Sequence, residues 1–434
     1  MAHSATPLAM RMSKQVSEHN PALSVAAVVE SAQRVLAARF GGSPELSSPE
    51  NLGGNGSSLV LRARVGHNDF LQERTVVVKQ LPPEASGEEH SSLADPEANP
   101  SRGSRRISFD RTGLFRELVA YQFTNILAEE SRPGPLLLAY DIEERLLILS
   151  DLGEGQNFAE VLTQLPAKER RTALRKLGRS LGRMHVATAG KEESYDTLFR
   201  RQCQKHGYAA EDVAGQQPNI AETIAIGREL MERNQISMHP EVTRLANLAG
   251  KRQSDATARA FTPFDLMPDN IVLAQRVFFL DYEWAGFRDI AFDVACVVAG
   301  FPQDLTTPAL SDKETAEFLD AWRAEVVHYW PEFREDAYFN EVLVASLIAW
   351  AFFSLALLYY GSDRVNDLRE FDIEADDLKK LTTAQLIDLA TTVDAILRFT
   401  AGLGEERFAP VVELAENLLA ALAPLGAHPQ RRED

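Results

Sequence analysis

Apolar and polar positions alternate differently in the first third of the chain than in the rest. Residues 23–40 place Val25, Val28, Val29, Val35 and Leu36 at helical spacing and stop at Gly41 and Gly42, which predicts a helix with a glycine C-cap. Residues 59–65 and 75–81 are rich in β-branched and apolar side chains, and His67, Asn68 and Asp69 lie between them, which predicts a hairpin. Helical periodicity returns over 115–128, and 135–140 with 145–150 reads as a second strand pair. Past Gly155 the pattern is helical over 158–165, 168–189, 220–249, 313–328, 341–360, 382–401 and 411–422. One short hairpin, 271–273 with 277–280, interrupts it. These elements predict an α+β chain with a small β-rich unit ahead of a large, mostly helical one. The expected divisions are a tail and helix over 1–45, the β-rich unit over 46–152 with a polar insert at 82–110, the helical unit over 153–425, and a tail over 426–434.

Residues 342–360 carry no charge and approach the ~20 residues that a bilayer span needs. Their flanks hold Glu341, Asp363 and Arg364 with no Lys/Arg cluster, and an all-apolar helix is also what the core of a large helical unit requires. A buried core helix is expected there, and no membrane association. Composition supports that picture: 434 residues, 45% apolar, are enough to bury a core without disulfide or metal staples. The 45 basic and 63 acidic residues leave a net charge of −18, whose field repels phosphate backbones and anionic lipid surfaces, so nucleic acid is not an expected partner. Two cysteines, Cys203 and Cys296, make no disulfide framework and fit a reducing compartment. Residues 1–20 lack the continuous apolar stretch of a secretory signal, so a cytoplasmic location is expected.

The candidate chemistry lies in a few short stretches. Gly53, Gly54, Asn55, Gly56 and Ser57 form a glycine-rich turn entering a strand, where positive φ and close backbone approach allow N–H groups to converge on phosphate oxygens. The turn lacks the third glycine of a GxGxxG pattern, and the chain has no Walker A motif. Lys79 closes the apolar run Val76, Val77 and Val78 on the second strand, and Glu117 in the following helix offers it a carboxylate. Asp265 and Asn270 have the Asp-x4-Asn spacing in which an aspartate orients a hydroxyl and an asparagine holds a metal, and Asp281 follows a strand where a second metal carboxylate belongs. None of the nine histidines forms a paired zinc-ligand pattern.

Together these stretches resemble the aminoglycoside phosphotransferase and choline kinase family, a branch of the protein-kinase-like fold. The resemblance runs over about residues 52–300 and includes Leu147–Gly153 as a hinge and Leu177–His185 as the helix before the catalytic loop. It implies a bilobal protein-kinase-like fold with a nucleotide-binding N-lobe and a helical C-lobe that carries the catalytic loop and acceptor site. It also implies ATP and Mg²⁺ as cofactors and a small-molecule hydroxyl acceptor such as an amino sugar or amino alcohol. In that pattern Gly53 to Ser57 and Lys79 hold phosphates, Glu117 holds Lys79, and Ser150, Asp151 and Leu152 meet adenine. Asn270 and Asp281 bind metal, Asp265 is the catalytic carboxylate, His185 is structural, and Asp293 buttresses the loop. The chain departs from the family's His-Gly-Asp at the loop entrance: Pro263 and Phe264 precede Asp265, which puts bulk beside the base. A nucleotide-binding regulatory protein with impaired catalysis is the alternative, against which the complete set of Lys79, Glu117, Asp265, Asn270 and Asp281 speaks. On the acceptor side Glu325, Glu332, Glu335 and Asp336 with Trp322, Tyr329 and Trp330 suit a cationic or sugar-like ligand, though a solvated face over core aromatics is the more common reason for such residues.

Overall fold

The computed structural model describes residues 23–53, 58–82, 109–255, 257–304, 307–361 and 380–432. Helix α1 (Val25–Phe40) starts where the Ser24 hydroxyl accepts the Ala27 N–H at 3.1 Å and stops at Gly41, whose φ of 85° glycine takes without cost. Strands β1 (Leu46–Gly53), β2 (Leu59–Val65) and β3 (Thr75–Gln80) follow. After helix α2 (Phe109–Thr124) come β4 (Leu137–Asp141) and β5 (Leu146–Ser150), closing an antiparallel sheet of order β1-β2-β3-β5-β4. Alternation sorts its two faces. Leu61, Ala63, Val76, Val78, Leu146 and Ile148 pack under Val28, Ala32 and Leu36 of α1, while Leu147 and Leu149 on the other face join the large core with α2. Lys79 pairs with Leu147 across the ladder and so points to that second face, toward the cleft.

The insert expected at 82–110 falls almost wholly outside the described residues, and α2 begins at Phe109, ahead of the expected 115. Strand β1 was not expected: it carries Ser47, Ser48, Pro49 and Glu50, is exposed apart from Leu46, and sits at the sheet edge, where proline and a bulge are tolerated.

The C-lobe opens with β6 (Gln156–Asn157), α3 (Phe158–Gln164), α4 (Ala167–Thr188), α5 (Glu192–His206), α6 (Ala210–Ala214), α7 (Ile220–Arg233) and α8 (Pro240–Asp255). The single helix expected over 220–249 is thus two, because Gln235 turns left-handed at φ 62° and Pro240 starts a new helix. Strands β7 (Arg259–Thr262), β8 (Ile271–Leu273), β9 (Val277–Phe279) and β10 (Gly286–Asp289) make two small sheets, β7 with β10 and β6-β8-β9. Helices α9 (Ile290–Val298), α10 (Asp312–Val326), α11 (Asp336–Tyr360), α12 (Thr383–Leu403) and α13 (Ala409–Leu422) complete the lobe.

Two helical stretches among the described residues, Asp336–Tyr360 and Glu406–Leu425, are long and apolar enough to cross a membrane; the first is 94% buried over its most apolar window, and the second 33%. The expected core helix is therefore α11. It lies so close to α7 that a Cβ on Gly227 would run into the Phe352 carbonyl group.

Candidate active site

Lys79 leaves β3 toward the cleft and meets two carboxylates. Its Nζ lies 2.8 Å from Glu117 Oε2 on α2 and 2.8 Å from Asp281 Oδ1 beyond β9. Burial works against the Lys79 charge, but Asp281 and Glu117 outweigh it and hold the ammonium well above its usual range. The Glu117 carboxyl is 2% exposed and is pushed upward by burial, with Lys79 opposing the shift. Strand Lys and helix Glu, joined only by order in the sequence, are in contact.

The expected catalytic loop leaves β7 at Thr262 and ends in a single 3-10 turn, Pro268–Asn270, before β8. The β8–β9 hairpin folds the chain back, pairing Ile271 with Phe279, and the Leu280 N–H then donates to the Asn270 carbonyl at 2.8 Å. This places Asn270 beside the segment that carries Asp281, so the two expected metal ligands are neighbours because the short hairpin 271–279 lies between them. Asp281 itself is left-handed at φ 58°, the corner that turns its carboxylate back to Lys79. The Asp265 carboxylate accepts the Met267 N–H at 3.3 Å and bonds the Asn270 amide. Burial first, then the charges of Asp281 and Asp269, push Asp265 from an ordinary 3.8 up to about 7.

Phe264 does not crowd the base as expected. Its backbone is left-handed, φ 66°, and its ring turns away into the C-lobe, 8% exposed, against Phe292, Trp350 and Phe353. His185 and Asp293 meet in the core at 3.2 Å, and the Trp322 indole N–H donates to His185 Nδ1 at 3.1 Å, so this histidine braces the fold between two partners. Trp322 is spent in that contact, Trp330 donates to the Thr257 carbonyl, and Glu325 pairs with Arg183. Trp322 and Trp330 are thus core residues and Glu325 a paired surface residue, in line with the more common reason for such side chains.

At the hinge, the Ser150 N–H is committed to the Leu136 carbonyl and its hydroxyl accepts the Leu136 N–H, so Ser150 serves the sheet. Asp151 holds Arg62 at 3.1 Å and the Gly153 N–H at 3.0 Å; Leu152 lies between them. Gly53 ends β1, exposed; Gly54, Asn55, Gly56 and Ser57 lie outside the described residues.

Three further residues lie at the site, and none of them has a role assigned from the sequence. Glu283, two residues past Asp281, is pushed upward by burial and then by Asp281. Arg116, 1% exposed and next to Glu117, donates from Nε to the Glu283 carbonyl at 2.8 Å, tying α2 to the Asp281 segment. Arg62 joins β2 to the hinge and also donates to the Gly153 carbonyl at 3.0 Å. Arg62 and Arg116 carry no local signal in the sequence, whereas Glu283 stands in an Asp-x-Glu spacing with Asp281.

The donor set suits a hard cation. Asn270 and Asp281 offer oxygen ligands; burial first lifts Asp265 and Glu283, and the added push of the Asp281 charge on both is one that a divalent cation would offset. No group of three or more His, Cys, Asp or Glu forms a metal cage among the described residues, and Mg²⁺ characteristically takes one or two protein ligands plus phosphate and water.

Residues 120–325 match the model of the phosphotransferase enzyme family. Over that stretch the chain is similar to this family. The match takes in the hinge, His185, the catalytic loop, Asp281 and Asp293, and it bears out the enzyme class and the kinase-like bilobal fold expected from the motifs. No curated protein matches the chain at a significant level. Among solved structures, a putative aminoglycoside phosphotransferase from Ralstonia eutropha is 13% identical, with 89% of this chain and 98% of that one covered and a TM-score of 0.43. Choline kinase from Streptococcus pneumoniae is 12% identical, with 85% and 98% covered and a TM-score of 0.42. A choline/ethanolamine kinase family protein from Mesorhizobium loti is 13% identical, with 90% and 99% covered and a TM-score of 0.38. At these scores the likenesses carry no argument about the site, which rests on the phosphotransferase-family match and on its own geometry.

Proposed function

We propose that this protein is an ATP-dependent phosphotransferase that moves the γ-phosphoryl group to a hydroxyl of a small molecule, with Mg²⁺ as its cation and the cytoplasm as its location. The observation that carries the reading is the Lys79 ammonium held between Glu117 and Asp281, beside a loop that presents Asp265 and Asn270. Phosphoryl transfer asks mainly for positioning and charge stabilisation. Lys79 is the cationic contact for phosphate oxygens, and Glu117 fixes its position. Asp265 orients the acceptor hydroxyl and receives its proton, a role suited to a carboxyl near 7. Asn270 and Asp281 would hold the cation, which supplies charge neutralisation on the transferring phosphate.

The N-lobe over 46–152 is the nucleotide-binding unit in this reading, with the base against 150–152, and 153–425 holds the acceptor. A cationic acceptor, an amino alcohol or amino sugar, suits a cleft edged by Asp265, Asp281 and Glu283 in a chain of net charge −18. Two buried free cysteines fit a reducing compartment.

The test is calorimetry of ATP with and without Mg²⁺ on the wild type and on Asp281→Ala, followed by ATP turnover of wild type and Asp265→Ala against amino alcohols and amino sugars. Binding that needs both Mg²⁺ and Asp281, with turnover abolished in Asp265→Ala, supports the reading. No nucleotide binding at millimolar ATP overturns it, and Mg²⁺-independent binding with no turnover of any acceptor would instead support a nucleotide-sensing role.

A further inference from the structure

The corner that delivers Asp265 is built in an unusual way. Phe264 occupies the left-handed region at φ 66°, where a side chain with a Cβ is strained and persists only if its surroundings over-determine it. The loop around it is tight: the Asp265 N–H reaches back to the Pro263 carbonyl at 2.9 Å and the Leu266 N–H to the Phe264 carbonyl at 3.0 Å. What holds the corner is the ring. Its face lies 6.1 Å from Phe292 at 10° and 6.0 Å from Trp350 at 25°, and the Phe353 ring meets it edge-on at 5.6 Å. The guanidinium of Arg288 stands 4.6 Å over it.

Both sides of this clamp are themselves fixed. Trp350 stacks on Phe292 at 4.5 Å and donates its indole N–H to the Phe292 carbonyl at 2.6 Å, which joins α11 to α9. Arg288 is 8% exposed and lies on β10, the partner strand of β7. It donates to the Thr262 hydroxyl at 3.2 Å and to the Gln217 side chain at 3.0 Å. The ring is therefore gripped between a buried cation and three aromatic side chains, one residue before the carboxylate that faces the cleft.

We propose that Phe264 is a positioning residue: its clamped ring fixes the left-handed corner and thereby sets where the Asp265 carboxylate points. The proposal rests on the phosphotransferase reading for its effect on turnover, and on the loop geometry alone for its effect on backbone motion. A carboxylate displaced by about 1 Å loses much of its catalytic value while nucleotide contacts at Lys79 stay intact.

The experiment compares wild type with Phe264→Leu, Phe264→Gly and Phe264→Tyr. It measures kcat, the KM for ATP, the stoichiometry of MgATP binding by calorimetry, and hydrogen exchange of the 264–270 amides. Leu keeps apolar volume but not the stacked ring, Gly relieves the corner but abolishes the clamp, and Tyr keeps the ring. Expected are a kcat at least tenfold lower in the Leu and Gly variants, an unchanged KM for ATP, full binding stoichiometry, faster exchange confined to 264–270, and recovery in the Tyr variant. A fall in binding stoichiometry equal to the fall in kcat would reduce Phe264 to a folding role and overturn the proposal, as would wild-type exchange across the loop in Phe264→Leu. If the wild type binds no nucleotide, the functional reading fails by itself, while the exchange comparison still decides whether the ring holds the loop.

Discussion

Lys79 bonds Glu117 and Asp281 at equal distance, but the two carboxylates do different work. Glu117 is almost wholly enclosed and holds the ammonium from behind, whereas Asp281 is 25% exposed at the cleft. Glu117→Gln keeps the shape and a hydrogen-bond acceptor but removes the charge. It is expected to lower kcat/KM about 10- to 100-fold, the usual effect of losing a group that orients a ligand-binding side chain, in steady-state assays of a variant whose thermal midpoint stays near that of wild type. Undiminished turnover would mean that Asp281 alone fixes Lys79. Lys79, Glu117, Asp265, Asn270 and Asp281, which the fold brings together, could be singled out in the sequence: Asp265 and Asn270 by their spacing, the others by the order of the strands and helix that carry them. Arg62 and Arg116 were not, since their partners Asp151 and Glu283 lie 89 and 167 positions away along the chain and only folding joins them. Phe264 was read as an obstruction because sequence gives a side chain's volume and not its direction.

Among the elements, those with strong periodicity were legible and those set by tertiary contact were not. Helix α1 announces itself through Val25, Val28, Val29, Val35 and Leu36, of which Val28, Val35 and Leu36 are buried, while β1 buries only Leu46 and exists because β2 offers it a partner. The long apolar run at 342–360 was legible as a core helix, but its neighbour was not: α11 lies against α7 at a distance that only Gly227 permits. A methyl group there would meet the Phe352 backbone, which no rotamer change can move aside. Gly227→Ala is therefore expected to destabilise the fold by about 3 kcal/mol or more, the range of severe overpacking, measured by urea unfolding. Gly402→Ala, which meets nothing within 4 Å, is its control and should change little. Equal stability of the two variants would show that α7 can slide away from α11.

Two hydrophobic cores, one beneath α1 and one running through α2 and the C-lobe, divide the molecule's stability, and buried carboxyls set part of its pH dependence. Asp388 on α12 accepts the Gln303 N–H with both oxygens, at 3.1 and 3.0 Å, and burial lifts it from 3.8 to about 7, helped by Asp304 and opposed by the Gln303 bond. The folded chain therefore binds this proton more tightly than the unfolded chain, and its stabilising contribution, complete below about 4, is lost as pH rises through about 7. Asp388→Asn should flatten that decline in a pH series of unfolding midpoints, leaving the variant relatively more stable at pH 8 than at pH 4; an unchanged slope would assign the decline to other groups. The bridge at Lys79 reaches across the whole molecule in another way. In the proposed reaction a cation at Asp281 would compete with the Lys79 ammonium for Oδ1, and phosphate oxygens are what would draw that ammonium away. If cation and nucleotide bind as proposed, each would vacate part of the other's seat, and by reciprocity each would tighten the other's hold by the same factor.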